Sequence, residues 1–213
     1  MKTIEFKAIS YSGKDKINED YILCHKLSDN TLISILADGM GGLSYGAEAA
    51  KIVSESVLST ILDKIQGCFP EDVLRMAFDA ADIAISKKCR ELKCKMGTAV
   101  TVALMIDDSL YYAWQGNVRL YKVCNGETIL LTTDHVVAEA GGTFLTRCIN
   151  GKGYRDNVPI KQEKLEQDER IFICTDGFYQ KIDLNAIVTQ DIEFTPDGVF
   201  EDDASLIEIK TLD

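Results

Sequence analysis

The sequence predicts an α+β fold in which antiparallel β-sheets are covered by helices. Short apolar runs separated by turn-forming residues, as in successive β-hairpins, occupy both ends of the chain. Two long amphipathic stretches follow one another between them. Hairpins interrupted by a pair of adjacent helices are typical of antiparallel sheets packed against helices.

The first 42 residues read as three strands and a turn. Residues 2–9 alternate apolar and charged side chains, as in a half-buried edge strand. Residues 21–24 and 31–37 are apolar runs joined by turn-forming residues at 28–30, which predicts a hairpin. Three glycines within 38–42 then indicate a tight turn.

Two helices are predicted next. Residues 46–66 repeat apolar side chains every three or four positions, and residues 71–92 do the same. Pro70 followed by two acidic residues suits the start of the second helix. Because only a short turn around Gly67 separates the helices, we expect them to be neighbours.

The rest of the chain is mostly β-prone. Residues 98–106, 110–114, 119–123 and 128–131 predict an antiparallel meander. Residues 134–168 are weakly patterned, and only a short helix near 135–140 is predicted there. A buried strand is expected at 170–174, a helical turn at 184–189 and a final strand at 204–210.

Composition limits the class of protein. With 213 residues, 46% hydrophobic and 27% charged, one domain spanning residues 1–213 is expected, and we expect it to be a monomer. The formal net charge of −11 argues against a nucleic-acid partner. Because neither a signal peptide nor an apolar run of about 18 residues is visible, no membrane association and a cytoplasmic location are expected.

The cysteines and histidines do not form a zinc signature. The seven cysteines include no Cys-x-x-Cys pair, and there are only two histidines. We therefore expect reduced, mostly buried thiols, and a redox role for the closest pair, Cys89 and Cys94, is not favoured.

Acidic residues at strand ends carry the chemistry. Asp38 and Asp176 each follow an apolar strand, and Asp202 precedes the last one. Each alone is a common turn-former. Together with Glu19 and Asp20 they predict a cluster of carboxylates that repel one another unless hard divalent cations such as Mg²⁺ or Mn²⁺ bind them. From the residues alone, the inference is a metal-dependent hydrolase.

The order of these motifs resembles the metal-dependent protein serine/threonine phosphatases of the type 2C class (PPM), most of all their compact bacterial catalytic domains. The resemblance covers nearly the whole chain, and the second of its motifs is highly specific. The motifs are Asn18-Glu19-Asp20, Leu36-Ala37-Asp38-Gly39-Met40-Gly41-Gly42, Gly97-Thr98-Ala99, Cys174-Thr175-Asp176-Gly177 and Asp202-Asp203-Ala204-Ser205.

The resemblance implies a four-layer α-β-β-α sandwich with a metal centre between the sheets at one end. It implies that Asp38 bridges two ions, Mn²⁺ or Mg²⁺, and that Asp176 and Asp202 hold one of them. Glu19 and the backbone carbonyl of Gly39 would serve the other ion. Asp20 would orient water for attack by a metal-bridging hydroxide on phosphoserine or phosphothreonine.

The sequence departs from the family pattern in the cleft. The arginine that binds phosphate in the family is replaced by Asp15, and Lys14 or Lys16 is the available substitute. Asn117 stands where bacterial members have an aspartate at a third metal site, so a third ion should bind poorly. Arg119, two residues further on, is expected to pack and pair in its strand.

The region that resembles the family's flap is also short. The Thr146-Arg147 pair begins only ten positions after Val136, so most of the flap is expected to be missing and the site open. His135 is expected to be structural rather than a general acid.

The leading hypothesis is therefore a phosphoprotein phosphatase acting on serine and threonine, with a phosphorylated protein substrate and a cognate kinase as partners. The alternative is a catalytically weak pseudophosphatase or a module that binds phosphoproteins without hydrolysing them. A hydrolase of small phosphate esters is a third hypothesis, since an open site accepts more substrates.

Overall fold

The computed structural model describes residues 3–14, 16–40, 43, 45–140, 142–185, 187 and 200–212. Its strands are β1 (Thr3–Tyr11), β2 (Asp20–Ser28), β3 (Thr31–Gly39), β4 (Thr98–Ile106), β5 (Ser109–Gln115), β6 (Arg119–Cys124), β7 (Glu127–Leu130), β8 (Val136–Glu139), β9 (Gly142–Leu145), β10 (Ile160–Lys164), β11 (Arg170–Cys174) and β12 (Ala204–Leu212). Its helices are α1 (Gly46–Lys64), α2 (Pro70–Leu92) and α3 (Asp176–Tyr179).

The strands form two large antiparallel sheets. The first has the order β1-β12-β11-β6-β7, and the second has the order β10-β5-β4-β3-β2. A separate two-stranded sheet pairs β8 with β9. The predicted α+β class with antiparallel sheets and helices is confirmed.

The alternation along β3 shows how the layers are built. Ile33 and Ile35 face the pair α1 and α2, whereas Leu32 and Leu36 face the core between the two sheets. Because both faces of this strand are covered, its sequence is a nearly continuous apolar run rather than an alternating one. Phe178 of α3 belongs to a third cluster, which covers the outer face of the first sheet.

Two predicted elements differ from the structure, and strand β10 has no predicted counterpart. The helix near 135–140 is wrong, because the β-branched pair Val136-Val137 starts the hairpin of β8 and β9. The predicted meander divides between the sheets, β5 lying in the second and β6 in the first. Strand β10 was not predicted because its sequence is mostly charged and polar. Such a sequence is tolerated because β10 is an edge strand that, among the described strands, pairs only with β5. Half of the predicted helical turn at 184–189 lies outside the described residues, and the described residues 184, 185 and 187 are helical.

The expectation of mostly buried cysteines is also wrong. Cys174 is buried and Cys68 is exposed, and the remaining five are half-buried. In the described ranges, no helix has the length and apolar character needed to cross a membrane.

Candidate active site

The acidic residues meet where the strands of the two sheets end. Asp38 is the penultimate residue of β3 and is the register partner of Asp20, the first residue of β2. Asp176 opens α3 directly after β11, and Asp202 lies just before β12. Strand ends from both sheets therefore bring these carboxylates to the same place, as the sequence predicted.

A cleft of about 1100 Å³ opens at this edge. Of the predicted site residues, it is lined by Lys16, Glu19, Asp38, Gly39, Asn117, Asp176 and Asp202. Asp20 and Lys14 do not line it. Lys14 is exposed and donates its backbone N–H to Phe200 O at 2.9 Å, and it is not among the residues that line the cleft. Asp15, Gly41 and Gly42 lie outside the described residues.

Asp38 is the most electrostatically unfavourable carboxylate of the cleft. Burial raises its pKa well above the ordinary range, and the charges of Asp20, Asp176, Asp202 and Asp203 raise it further. Four acids around one half-buried, desolvated carboxyl favour either protonation or a bound cation.

Asp20 lies beneath the cleft. Its Oδ2 accepts a hydrogen bond from Thr175 Oγ1 at 2.9 Å. In the described part of the chain, no donor meets its buried Oδ1 with hydrogen-bond geometry. Burial raises the pKa of Asp20 to about 7 against the opposing effect of the Ser205 and Thr175 hydroxyls. An orphaned buried oxygen of this kind is rare and marks a site that an additional donor or ion completes.

Glu19, which precedes β2 in the sequence, has its carboxylate against the first turn of α1. Burial and the charge of Asp203 raise its pKa, whereas the backbone N–H groups of Ala47 and Gly46 lower it. A Cβ on Gly46 would collide with the Glu19 carboxylate, and a Cβ on Gly39 would collide with the Gly46 backbone. These glycines are therefore needed for close approach of β3, α1 and Glu19.

Asp202 and Asp203 have different surroundings. The Asp202 side chain is 60% exposed, and its Oδ1 accepts a hydrogen bond from Lys16 Nζ at 2.9 Å. Asp203 is only 8% exposed, and its two oxygens accept the backbone N–H groups of Gly13 and Glu19, each at 2.7 Å. Asp203 therefore ties the loop before β2 to the start of β12.

Asn117 is directed at the predicted metal ligand Asp176. Its Nδ2 donates to Asp176 Oδ2 at 3.1 Å, and its backbone carbonyl accepts from Tyr179 Oη at 3.2 Å. Burial raises the pKa of Asp176, as does Asp202, whereas the Gly177 N–H and Asn117 lower it. The amide thus acts as a donor to the carboxylate here, which an aspartate at this position cannot do.

Arg119 forms the wall of the cleft beside Asn117. Its Nε and one terminal nitrogen form a fork on Asp134, with distances of 2.8–3.1 Å, and Nη1 donates to Tyr121 Oη at 3.1 Å. The guanidinium carbon lies 3.8 Å from the ring centroid of Tyr179. The expected packing and pairing role of Arg119 is what the structure shows.

The short flap region still reaches the site. The hairpin of β8 and β9 contributes Val136, Thr143, Phe144 and Leu145 to the cleft lining, and Phe144 is half exposed. The expected open site is therefore bordered on this side. Next to the hairpin, His135 Nδ1 accepts the N–H of Gly116 at 3.2 Å, as a structural histidine would.

The donor set suits magnesium or manganese, since it consists of carboxylates and a backbone carbonyl. Among the described residues, however, no group of three His, Cys, Asp or Glu side chains is arranged so that it could hold a metal ion. Lys16 engages Asp202, Asn117 engages Asp176, and the start of α1 engages Glu19. Binding of a cation therefore requires side chains such as Lys16 to exchange partners.

Three residues of the site received no role from the sequence. Thr175 holds Asp20, Asp203 holds Glu19, and Thr98 Oγ1 donates to the Asp38 carbonyl at 2.7 Å. Each belongs to one of the motifs that carried the resemblance, so the signal was present. The partner of each is distant in sequence, which is why its role was not apparent.

A family model matches most of the chain. Residues 10–202 match the model described as protein phosphatase 2C. A curated relative, a putative protein phosphatase of Mycoplasma genitalium, is 22% identical over an alignment of 208 positions. The alignment covers 84% of this chain and 79% of the relative.

Solved structures match the fold over the full length. The Mycobacterium tuberculosis serine/threonine phosphatase PstP/Ppp has a TM-score of 0.79 at 20% identity, with 98% of each chain covered. A structure of the PstP catalytic domain in complex with two manganese ions has a TM-score of 0.79 at 21% identity and covers 100% of each chain. A serine/threonine phosphatase of S. agalactiae has a TM-score of 0.77 at 20% identity, covering 97% of this chain and 99% of the other.

Proposed function

The chain belongs to the protein phosphatase 2C family of serine/threonine phosphatases, and on that premise we propose that it removes phosphate from phosphoserine and phosphothreonine in proteins with the help of two divalent cations. One observation carries the proposal. Asp38 lies half-buried among four other acids in the cleft, and desolvation together with their repulsion raises its pKa. Such an arrangement calls for positive charge.

Two ions, Mn²⁺ or Mg²⁺, fit the donor set in the proposed arrangement. Asp38 would bridge them, Asp176 and Asp202 would hold one, and Glu19 with the Gly39 carbonyl would hold the other. The manganese ions of the related PstP structure support this choice of metal. When bound, such ions lower the pKa of water and neutralise phosphoryl oxygens.

The chain's own residues perform the remaining tasks in this proposal. Asp20, fixed by Thr175, offers its unpartnered Oδ1 to a water molecule and orients it. Lys16, which pairs with Asp202 at 2.9 Å, would release that carboxylate to hold an ion and would direct its ammonium at the substrate phosphate. Asn117 anchors Asp176 but is a poor ligand for a third hard cation, so two ions rather than three are proposed.

The substrate follows from the same cleft. We propose that the substrate is a phosphorylated side chain of a protein and that a protein kinase supplies it. We also propose that residues 1–213 act as one monomeric domain. The hairpin of β8 and β9 would lie beside the residues that flank the phosphorylated position, since Phe144 lines the cleft and is half exposed.

Hydrolysis of a phosphothreonine peptide tests the proposal. The release of inorganic phosphate is measured with Mn²⁺, with Mg²⁺ and with EDTA, for the wild type, Asp38→Asn and the matched control Asp63→Asn. Asp63 is an exposed acid of α1 paired with Lys64 and lies outside the cleft lining. We expect phosphate release with either metal in the wild type and in the control. We expect no phosphate release in EDTA, and none from Asp38→Asn.

The alternatives predict other outcomes. A binding module would retain the phosphopeptide in EDTA without releasing phosphate. A hydrolase of small esters would turn over p-nitrophenyl phosphate but leave the peptide intact. Either result, obtained with folded wild-type protein, would overturn the proposed protein phosphatase activity.

A further inference from the structure

The carboxyl end of α2 has an unusual pair of side chains. Lys93 ends the helix in the left-handed conformation, with φ 50° and ψ 41°, and donates its N–H to Cys89 O. The N–H of Cys94 donates to the same carbonyl at 3.1 Å. This six-to-one hydrogen bond is that of a Schellman motif, in which the first and last residues of the turn bring their side chains into contact.

In this turn both contacting residues are cysteines. The side chains of Cys89 and Cys94 pack against the same core cluster, and Cys89 raises the pKa of the Cys94 thiol. Both are half-buried, and their chain neighbours Arg90, Lys93 and Lys95 are exposed. The thiols are therefore close together and accessible to a small oxidant from one side.

We propose that Cys89 and Cys94 form a reversible disulfide that fastens the end of α2 to the segment leading into β4. The backbone hydrogen bond joins the two residues directly across the turn, and a disulfide needs their Cα atoms to lie within about 4.4–6.8 Å of each other. With a disulfide such as oxidised glutathione, two exchange steps form one S–S bond in the protein and release two molecules of reduced glutathione.

The fastened segment leads to the active-site edge. Two residues separate Cys94 from Gly97, whose carbonyl accepts the Met40 N–H at 3.1 Å. Thr98 then donates its hydroxyl to the Asp38 carbonyl at 2.7 Å. The disulfide thus stiffens the connection between α2 and the backbone that carries Asp38. Its formation does not depend on the proposed phosphatase activity.

The environment of Cys94 affects the rate of exchange. Burial, the neighbouring Cys89 and the charge of Glu48 raise the pKa of its thiol. Because the thiolate is the attacking species, the exchange should accelerate as the pH rises above neutrality.

Peptide mapping of the folded wild type tests the proposal. The protein is incubated with oxidised glutathione, alkylated, and cleaved before aspartate. The fragment of residues 82–106 then contains Cys89, Cys94 and no other cysteine. We expect this fragment to lose two hydrogen atoms in mass and to carry no alkyl group, and prior treatment with dithiothreitol should restore two alkyl groups.

Thermal unfolding tests the fastening. The oxidised wild type and Cys68→Ser, which alters the exposed cysteine outside this pair, should both have a higher Tm than their reduced forms. In Cys89→Ser the oxidant should leave Tm unchanged. A fully alkylated fragment after oxidation, a glutathione adduct on it, or an oxidised Tm no higher than the reduced one would overturn the proposal.

Discussion

Asp82 is buried and Asp38 is half-buried, and the two aspartates have opposite surroundings. The Asp82 oxygens accept the backbone N–H groups of Gly151 and Gly153, each at 2.7 Å, which ties that loop to α2. Asp38 instead faces four other acids, and its pKa is raised well above the ordinary range. A buried carboxylate with two backbone donors stabilises the fold, whereas a carboxylate surrounded by like charge is destabilised unless a cation binds it.

Asp203 lies between these two cases. It accepts two backbone N–H groups as Asp82 does, but one of them belongs to the proposed metal ligand Glu19. Its charge also raises the pKa of Asp38. An acid can therefore hold the site together without being a ligand itself.

The largest expected effect separates the two aspartates by activity. Asp38→Asn should reduce metal-dependent phosphate release by roughly 10²–10³-fold, because the charge that binds the cations is lost. Asp82→Asn should leave the rate at low temperature near that of the wild type. Steady-state kinetics of both variants measure this, and equal losses in the two would remove the distinction.

The next effect separates them by stability. Asp82→Ala leaves the buried N–H groups of Gly151 and Gly153 without acceptors and should lower the free energy of unfolding by about 3 kcal/mol. Asp38→Asn removes repulsion and should not destabilise the metal-free protein. Urea titrations in EDTA measure both, and a destabilised Asp38→Asn would contradict the proposed role.

The third effect is a pH dependence. The folded-state pKa of Asp20 is raised from 3.8 to about 7, so the folded metal-free protein binds more protons than the unfolded chain within that window. Protonated Asp20 therefore contributes to the free energy of unfolding at low pH, and this contribution is lost as the pH rises toward 7. The loss is on the order of 2 kcal/mol, because the neighbouring acids titrate together with Asp20 and share the effect.

Urea titrations at a series of pH values in EDTA test this dependence. The free energy of unfolding of the wild type should fall relative to that of Asp20→Asn as the pH rises. A difference between the two proteins that does not change with pH would show that Asp20 is not the titrating group.

The smallest effect concerns Thr175. Its hydroxyl donates to Asp20 Oδ2 and accepts the Ser205 N–H, both at 2.9 Å. Thr175→Val loses both hydrogen bonds and should cost about 1–2 kcal/mol of stability and reduce the rate about tenfold. Thr175→Ser keeps the hydroxyl and should restore both, so a serine variant as impaired as the valine variant would exclude a role for this hydroxyl.

Much of the fold was predictable because its patterns are local. The hairpin of β2 and β3, the neighbouring helices and the strands β4, β6, β11 and β12 follow from periodicity and turn residues. The hairpin of β8 and β9 was missed because a glycine pair and short strands carry little periodic signal. The division of the meander between two sheets was missed because pairing partners far apart in the chain leave no local trace.

The sequence by itself indicated which acids meet near the candidate site, because five motifs in a specific order resemble the family and each lies at a strand end. Only the tertiary structure decided what each acid contacts. Asp203 meets Gly13 across 190 residues, and Lys16 meets Asp202 across 186. Such contacts arise because β1 and β12, from opposite ends of the chain, pair in one sheet, and the spacing of residues along one strand contains no information about the strand that comes to lie beside it.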